Sequence, residues 1–253
     1  MTAFIKKECM ELTRTGKLLI LGIIFILFGI MNPAIAKLTP WMYEMLGETL
    51  SEQGLVIGEV KVTALTSWTQ FYKNTPIIVI VIILLFSSIL TNEYQKGTLV
   101  QIVTKGLSRK KIYFSKLLTL YGAWTLLYLV YTGITLGYTM YFWGDDKVTN
   151  LPFGIVMYWL FGIMTASVLI FFSSLCENSG QVLLGTGAVF FGSILLGYIP
   201  KLKEYMPSRL MDGLTLSTGG AECSDFTAPI ICAFILTMIC AIMGMLIFDR
   251  RKL

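Results

Sequence analysis

The 253-residue chain contains no histidine. That absence removes imidazole metal ligands, Ser-His nucleophilic catalysis and the His-based zinc motifs. Charge is scarce too. Asp, Glu, Lys and Arg make up 14% of the residues, against roughly 25% in an average soluble domain. With 55% hydrophobic residues and a mean hydropathy of +0.74, the chain has too little polar surface to cover a soluble globule of its size, and it reads as an integral membrane protein. No Gly-Lys-Ser or Gly-Lys-Thr occurs, so the phosphate-cradling P-loop is missing and the chain is not expected to be an enzyme by itself. The five cysteines, Cys9, Cys176, Cys223, Cys232 and Cys240, have no metal-ligand spacing, and no metal is expected. Only Cys223 falls in an outer segment, which leaves a bridge between two copies as the one disulfide open to it.

Six apolar runs are present, at about 18–36, 76–92, 117–141, 152–175, 180–199 and 228–248. Each is close to the length of about 20 residues that a helix needs to cross a hydrocarbon core. Closed β-barrels are the other spanning solution, but their segments alternate apolar with polar and these do not. The expectation is an all-α membrane protein of one domain. None of the six runs contains Asp, Glu, Lys or Arg, which argues against a proton- or ion-coupled carrier and against an intramembrane protease with a carboxylate pair. Energy for any work is expected from outside the chain.

Six crossings put both termini on one side, together with the loop 93–116 and the turn 176–179. That side carries 13 basic and 5 acidic residues, a net +8, against −3 for the other. Cytoplasmic loops near spans are enriched in Lys and Arg, so both termini are expected in the cytoplasm. The basic balance is then a topology signal and no nucleic-acid partner is expected. Residues 1–17 place Phe4, Ile5, Cys9 and Leu12 at helical spacing among charges, as in a helix lying in the membrane interface. Ala34-Ile35-Ala36 resembles a signal-peptidase site, but the long basic lead-in and Asn32-Pro33 argue against cleavage.

The outer segments are read as 37–75 and 200–227. In the first, Trp41, Met42, Met45, Leu46 and Leu50 predict a short separate amphipathic helix, and Trp68, Phe71 and Tyr72 predict an aromatic belt announcing the second span. In the second, Pro200, Pro207, Gly213 and Gly219-Gly220 break helix continuity, while Leu210, Met211, Leu214 and Leu216 are apolar enough to dip back toward the membrane. The third span carries Gly133 and Gly137 in a small-xxx-small pattern. The fifth concentrates Gly185, Gly187, Ala188, Gly192, Ser193 and Gly197. Small residues let helix backbones approach closely, so the fifth span is the candidate for a subunit contact or a path lining, with packing inside the chain as the alternative.

The loop 93–116 is the chemically informative stretch. Leu99, Val100, Ile102 and Val103, followed by Leu107, form an apolar ridge on a short helix outside the hydrocarbon, of the kind that inserts into a partner's groove. Ser108 stands at an N-cap position, and Arg109, Lys110 and Lys111 follow at the end of a helix where cations disfavour the dipole. Those charges are read as topology or lipid-phosphate contacts.

Glu93, Gly97-Thr98, the ridge Leu99 to Val103, Ser108-Arg109 and Lys116 together resemble the first cytoplasmic loop of the membrane subunits of type 2 ABC exporters. The chain departs from that pattern at Gly106-Leu107, where proline often precedes the Ser-Arg pair. The resemblance implies an interfacial helix, six spans and a ridge that docks into a separate ATPase subunit. It also implies two ATPase copies carrying ATP and Mg, and a second permease subunit, expected to be another copy, meeting near spans 2 and 5. In size and in its charge-free, Met-, Phe- and Tyr-bearing spans the chain is similar to bacterial permeases of Gram-positive cells that export antimicrobial peptides or phenol-soluble modulins. An amphipathic peptide exported across the cell membrane is therefore the expected cargo. Ions, lipid or drugs, or a non-transporting immunity or sensor role, are the competing expectations.

Overall fold

A computed structural model describes residues 2–51, 61–104, 106–144 and 148–251, with the side chains of residues 2–3, 46–51 and 101–102 excepted. The described residues are helical with no strand. In chain order the helices are α1 (Thr2–Arg14), α2 (Lys17–Ser51), α3 (Ala64–Phe86), α4 (Thr91–Gln95), α5 (Thr98–Thr104), α6 (Arg109–Trp143), α7 (Leu151–Leu175), α8 (Ser179–Leu196), α9 (Pro200–Lys203), α10 (Gly213–Ser217) and α11 (Thr227–Arg250). Two 3₁₀ turns, Pro207–Met211 and Cys223–Phe226, flank α10. Six stretches are long and apolar enough to span a membrane: Lys17–Met45, Ala64–Gln95, Arg109–Trp143, Leu151–Leu175, Ser179–Leu196 and Cys223–Arg250. An even number of crossings leaves α1 and the end of α11 at one end of the bundle, here called the terminal end.

Several helices outrun the apolar runs. The helix of the first span does not stop near residue 36; α2 continues through Pro33 and Pro40 to Ser51, so Trp41, Met42 and Met45 lie on the same helix and not on a separate one. The side chains of Leu46 and Leu50 lie outside the described residues, as do residues 52–60. Likewise α3 starts at Ala64, three turns before Pro76. Trp68, Phe71 and Tyr72 are consequently buried, at 4% exposure or less, and form the core instead of an aromatic belt. Phe71 stacks on Tyr131 of α6 at 4.6 Å and Tyr72 on Tyr158 of α7 at 5.9 Å.

Proline normally ends or kinks a helix because it has no N–H for the carbonyl four residues back. Here the carbonyls freed by Pro33 and Pro76 find donors on other helices. Thr135 Oγ1 donates to the Gly29 carbonyl that Pro33 leaves open (3.1 Å), and Tyr158 Oη donates to the Tyr72 carbonyl that Pro76 leaves open (3.1 Å). In hydrocarbon such a group cannot turn to water, so a neighbouring helix has to supply the partner. The two proline sites are also wired together. Asn32, fully buried, donates to Tyr131 Oη and Thr135 Oγ1 (both 3.0 Å), and Asn74 donates to Asn32 Oδ1 (2.8 Å). Tyr131 Oη in turn donates to the Phe71 carbonyl (3.0 Å). α2, α3 and α6 thus share one polar network inside an apolar bundle.

Close packing of α6 on α7 depends on Gly162, where an added Cβ would lie 2.0 Å from the Trp124 ring. The Trp124 indole donates to the Trp159 carbonyl at 3.0 Å, which pins the ring across that gap. Added Cβ atoms at Gly133 and Gly137 of α6 would meet nothing within 4 Å, so the small-xxx-small pattern of the third span makes no contact among the described residues. The return of 200–227 toward the bundle is made by Leu210, Leu216 and Phe226, all fully buried. α8 is the least covered span, with Leu184 76% and Leu195 67% exposed.

Candidate functional site

At the terminal end α3 gives way to two short helices and a second turn before α6 begins. Gly97, with φ of +63°, separates α4 from α5 in a left-handed conformation that a Cβ disfavours. Ser108 occupies the residue before α6 with extended backbone, yet its side chain makes no capping bond. Thr98 Oγ1 reaches back to the Glu93 carbonyl at 3.4 Å.

The four-residue ridge divides. Leu99 is 1% exposed and sits in a cluster with Leu90, Ile112, Tyr113, Leu117 and Phe248, with Val103 and Leu107 packed against it. Val100, 44% exposed, points away. The Ile102 side chain and Lys105 lie outside the described residues. The division follows from helix geometry: residues four apart share a face while neighbours are turned by about 100°. Consecutive apolar residues on a seven-residue helix therefore serve two purposes, one holding the helix to the bundle and one facing outward. Val100, Gln95 and Gly97 border a surface pocket of about 320 Å³ whose other wall is Glu177, Asn178 and Arg251.

Glu93 does not face solvent. It is 6% exposed and belongs, with Glu8 (5%) and Lys116 (2%), to a buried ionic knot. Lys116 Nζ lies 2.8 Å from Glu8 Oε2 and 3.2 Å from Glu93 Oε1. Lys7 Nζ contacts Glu8, Glu11 and Glu93, each at 3.0 Å. Burial alone would pull the Lys7 ammonium down, but Glu93 and Glu8 together hold it well above the ordinary lysine value. Burial would likewise raise the Glu11 carboxyl, and the hydrogen bond and charge of Lys7 hold it below its ordinary value. Glu8, Glu11 and Glu93 bring carboxylate oxygens within 4.8 Å of one another, a spacing fit for a cation. Two ammonium groups already sit on those oxygens, so the arrangement is an ion-paired joint. It joins α1, α4 and α6, and makes α1 part of the loop's support. Glu93 and Lys116 stand in the loop motif, and Glu8 is one of the charges around the apolar stripe of residues 1–17; nothing in the sequence pairs them. In the fold Glu8 shares its face with Phe4 and Leu12, and α6 starts two turns ahead of the apolar run, carrying Lys116 inward.

The second turn and the C-terminus complete this end. Arg251 donates to the Ser174 and Cys176 carbonyls (2.7 and 3.0 Å), where α7 leaves acceptors open, and its guanidinium lies over the Tyr94 ring at 4.1 Å. Arg109 donates to the carbonyls of Asp249 and Arg251. A cation at its own helix start is unfavourable, but it caps the negative end of α11. Gln95 reaches Asn178 Oδ1 at 3.1 Å. Of these, only Arg109 belongs to the loop motif; the signal in the sequence for Arg251 is the basic run Arg250-Arg251-Lys252 after the last apolar run.

The six small residues of α8 also divide. Gly185 lies against Phe172, and Gly197 against Ser208, whose hydroxyl donates to the Ser193 carbonyl at 2.7 Å. Added Cβ atoms at Gly187 and Gly192 would meet nothing within 4 Å, and Ala188 is exposed. That open side is the part of α8 free for another helix or lipid.

No curated protein matches the chain. The protein-family model described as "ABC-2 family transporter protein" matches residues 63–216, from the residue before α3 to the next-to-last residue of α10. The match takes in the loop helices α4 and α5 and leaves α1, α2 and α11 outside it. With more than half of its length matched, six helices able to span a membrane and a loop built to present an apolar face at the terminal end, the chain belongs to the ABC-2 transporter family and is a multi-pass membrane subunit of an ABC exporter.

Proposed function

We propose that this permease forms the path for an apolar or amphipathic substrate, a peptide in the first instance, and that α5 docks into a separate ATPase subunit. On this reading both termini lie in the cytoplasm of a bacterial cell, two ATPase copies bind ATP and Mg, and a second copy of the permease pairs along the open side of α8 at Gly187, Ala188 and Gly192. The observation that carries the docking is Val100: an apolar side chain exposed on a helix whose other face is locked to the bundle by Leu99, beside a pocket bordered by Arg251 and Glu177. Closure of the ATPase pair would push on α5. The ionic knot would pass the displacement to α1 and α6, because Glu93, Glu8 and Lys116 leave little play at 2.8–3.2 Å. The peptide reading rests on spans rich in Met, Phe and Tyr and without charges along their apolar runs, since polarizable and aromatic surfaces adapt to varied partners.

Co-purification tests the docking. Val100→Asp is expected to leave the permease folded, because the residue is exposed, and to abolish recovery of the ATPase subunit with it. A retained complex together with retained substrate-stimulated ATP turnover overturns the reading.

A further inference from the structure

Six cationic side chains among the described residues are neither exposed nor free in solvent: Lys7, Lys17, Arg109, Lys116, Arg209 and Arg251. Five of them are hydrogen-bonded to carboxylates, hydroxyls or carbonyls. Arg209 is different. Its guanidinium lies over the Phe226 ring at 5.2 Å, and among the described residues no carboxylate comes within ion-pair distance and no acceptor within hydrogen-bond distance of it. A partly desolvated guanidinium carries five donors that normally find acceptors, and the ring face engages the cation without accepting them.

Arg209 stands at the end of the bundle opposite the termini, in a pocket of about 330 Å³ between the end of α8 and the 3₁₀ turn Pro207–Met211. Two kinds of wall meet there. Lys203 and Arg209 supply positive charge, with Asp212 the single acid, whose carboxylate already accepts from Thr215. Ile194, Tyr198 and Met211 supply apolar surface. Tyr198, on the pocket wall, is 80% exposed, and Leu195, in the last turn of the adjoining membrane-spanning helix α8, is 67% exposed. An anion alone would use the charges and leave the apolar wall idle; a hydrocarbon alone would leave Arg209 unanswered.

The geometry points to an anionic phospholipid held at this site: its phosphate on the Arg209 fork and Lys203, its acyl chains against Tyr198 and down the exposed side of α8 that carries Leu195. Guanidinium matches phosphate oxygens in a bidentate manner, and the end of a spanning helix is the depth at which headgroups lie. The site lies outside the loop assigned to ATPase docking and does not depend on that assignment.

The test uses the full-length permease, delipidated in detergent and returned to nanodiscs of phosphatidylcholine alone or mixed with phosphatidylglycerol. Phosphatidylglycerol is expected to raise the melting temperature of the wild-type protein by several degrees. Arg209→Gln should abolish the rise and Lys203→Gln should reduce it, while Lys73→Gln, an exposed lysine outside the pocket, keeps it. Lys203 is exposed, so its substitution is expected to leave the fold intact, and its variant decides the matter if Arg209→Gln fails to fold. Equal rises in all variants overturn the site. An equal rise from inorganic phosphate in phosphatidylcholine discs assigns the pocket to a free anion and overturns the lipid. Loss of self-association in the two pocket variants, with no lipid effect in the wild type, assigns it to a second copy and overturns it as well.

Discussion

Replacing Lys116 with methionine probes the joint between α1, the loop and α6. Methionine keeps the length and apolar stem and removes the ammonium that lies 2.8 Å from Glu8 and 3.2 Å from Glu93. Two carboxylates then remain about 95% buried with Lys7 as their shared counter-ion. Breaking a buried ion pair by deleting one partner costs about 3–5 kcal/mol. Lys7, at 3.0 Å from both acids but with its side chain 41% exposed, offsets part of that, so the lower figure of about 3 kcal/mol applies, or roughly a hundredfold in the unfolding equilibrium. Adding Glu8→Gln removes the excess negative charge and leaves one lysine for one buried acid. The double variant should therefore recover about 1–2 kcal/mol relative to the sum of the single variants, within the range seen for coupled neighbours. The assay is reversible unfolding in mixed micelles, read as a double-mutant cycle. Single effects that add to within about 0.5 kcal/mol would refute the claim that these charges act as one unit.

Three further outcomes are expected. Tyr158→Phe removes the donor to the carbonyl that Pro76 frees, and should cost about 1–2 kcal/mol in the same unfolding assay; an unchanged midpoint would mean that the freed carbonyl needs no partner. Gly162→Ala drives a Cβ to 2.0 Å from the pinned Trp124 ring and should cost about 1–3 kcal/mol, with a shift in indole fluorescence as the local readout. The Glu11 carboxyl is held below its ordinary value of 4.5 by Lys7, despite burial. Its contribution is complete above that value and drains away as pH falls through the lowered one, so the protection factors of the α1 amides, taken relative to the intrinsic exchange rate at each pH, should be flat between about pH 6 and 8 and fall only below 4.5.

The spans could be read from the chain because hydrocarbon thickness imposes a length on any apolar helix, and that constraint needs no knowledge of neighbours. Helix ends were harder. Asn32-Pro33 looks like a stop, and becomes a continuation only because Thr135, about a hundred residues away, offers a hydroxyl to Gly29. Trp68, Phe71 and Tyr72 look like an interfacial belt in one dimension; Tyr131 and Tyr158 make them core. In the loop, residue types pointed to a partner-facing helix, but the 100° step between Leu99 and Val100 assigns only one of them to the outward face. Glu8 and Lys116 were open to no local rule, since a charge beside an apolar run is ordinarily a topology marker. The signal available for Glu8 was its place at i+4 from Phe4 and i−4 from Leu12, an acid on the apolar stripe of α1.

A photo-reactive amino acid placed singly at Val100 and at Leu99 measures the central claim directly, because it reports which face of α5 meets another chain. The account predicts that position 100 cross-links to the co-expressed ATPase subunit while position 99 gives only adducts within the permease. Cross-linking to the ATPase from position 99 and none from position 100 would contradict it.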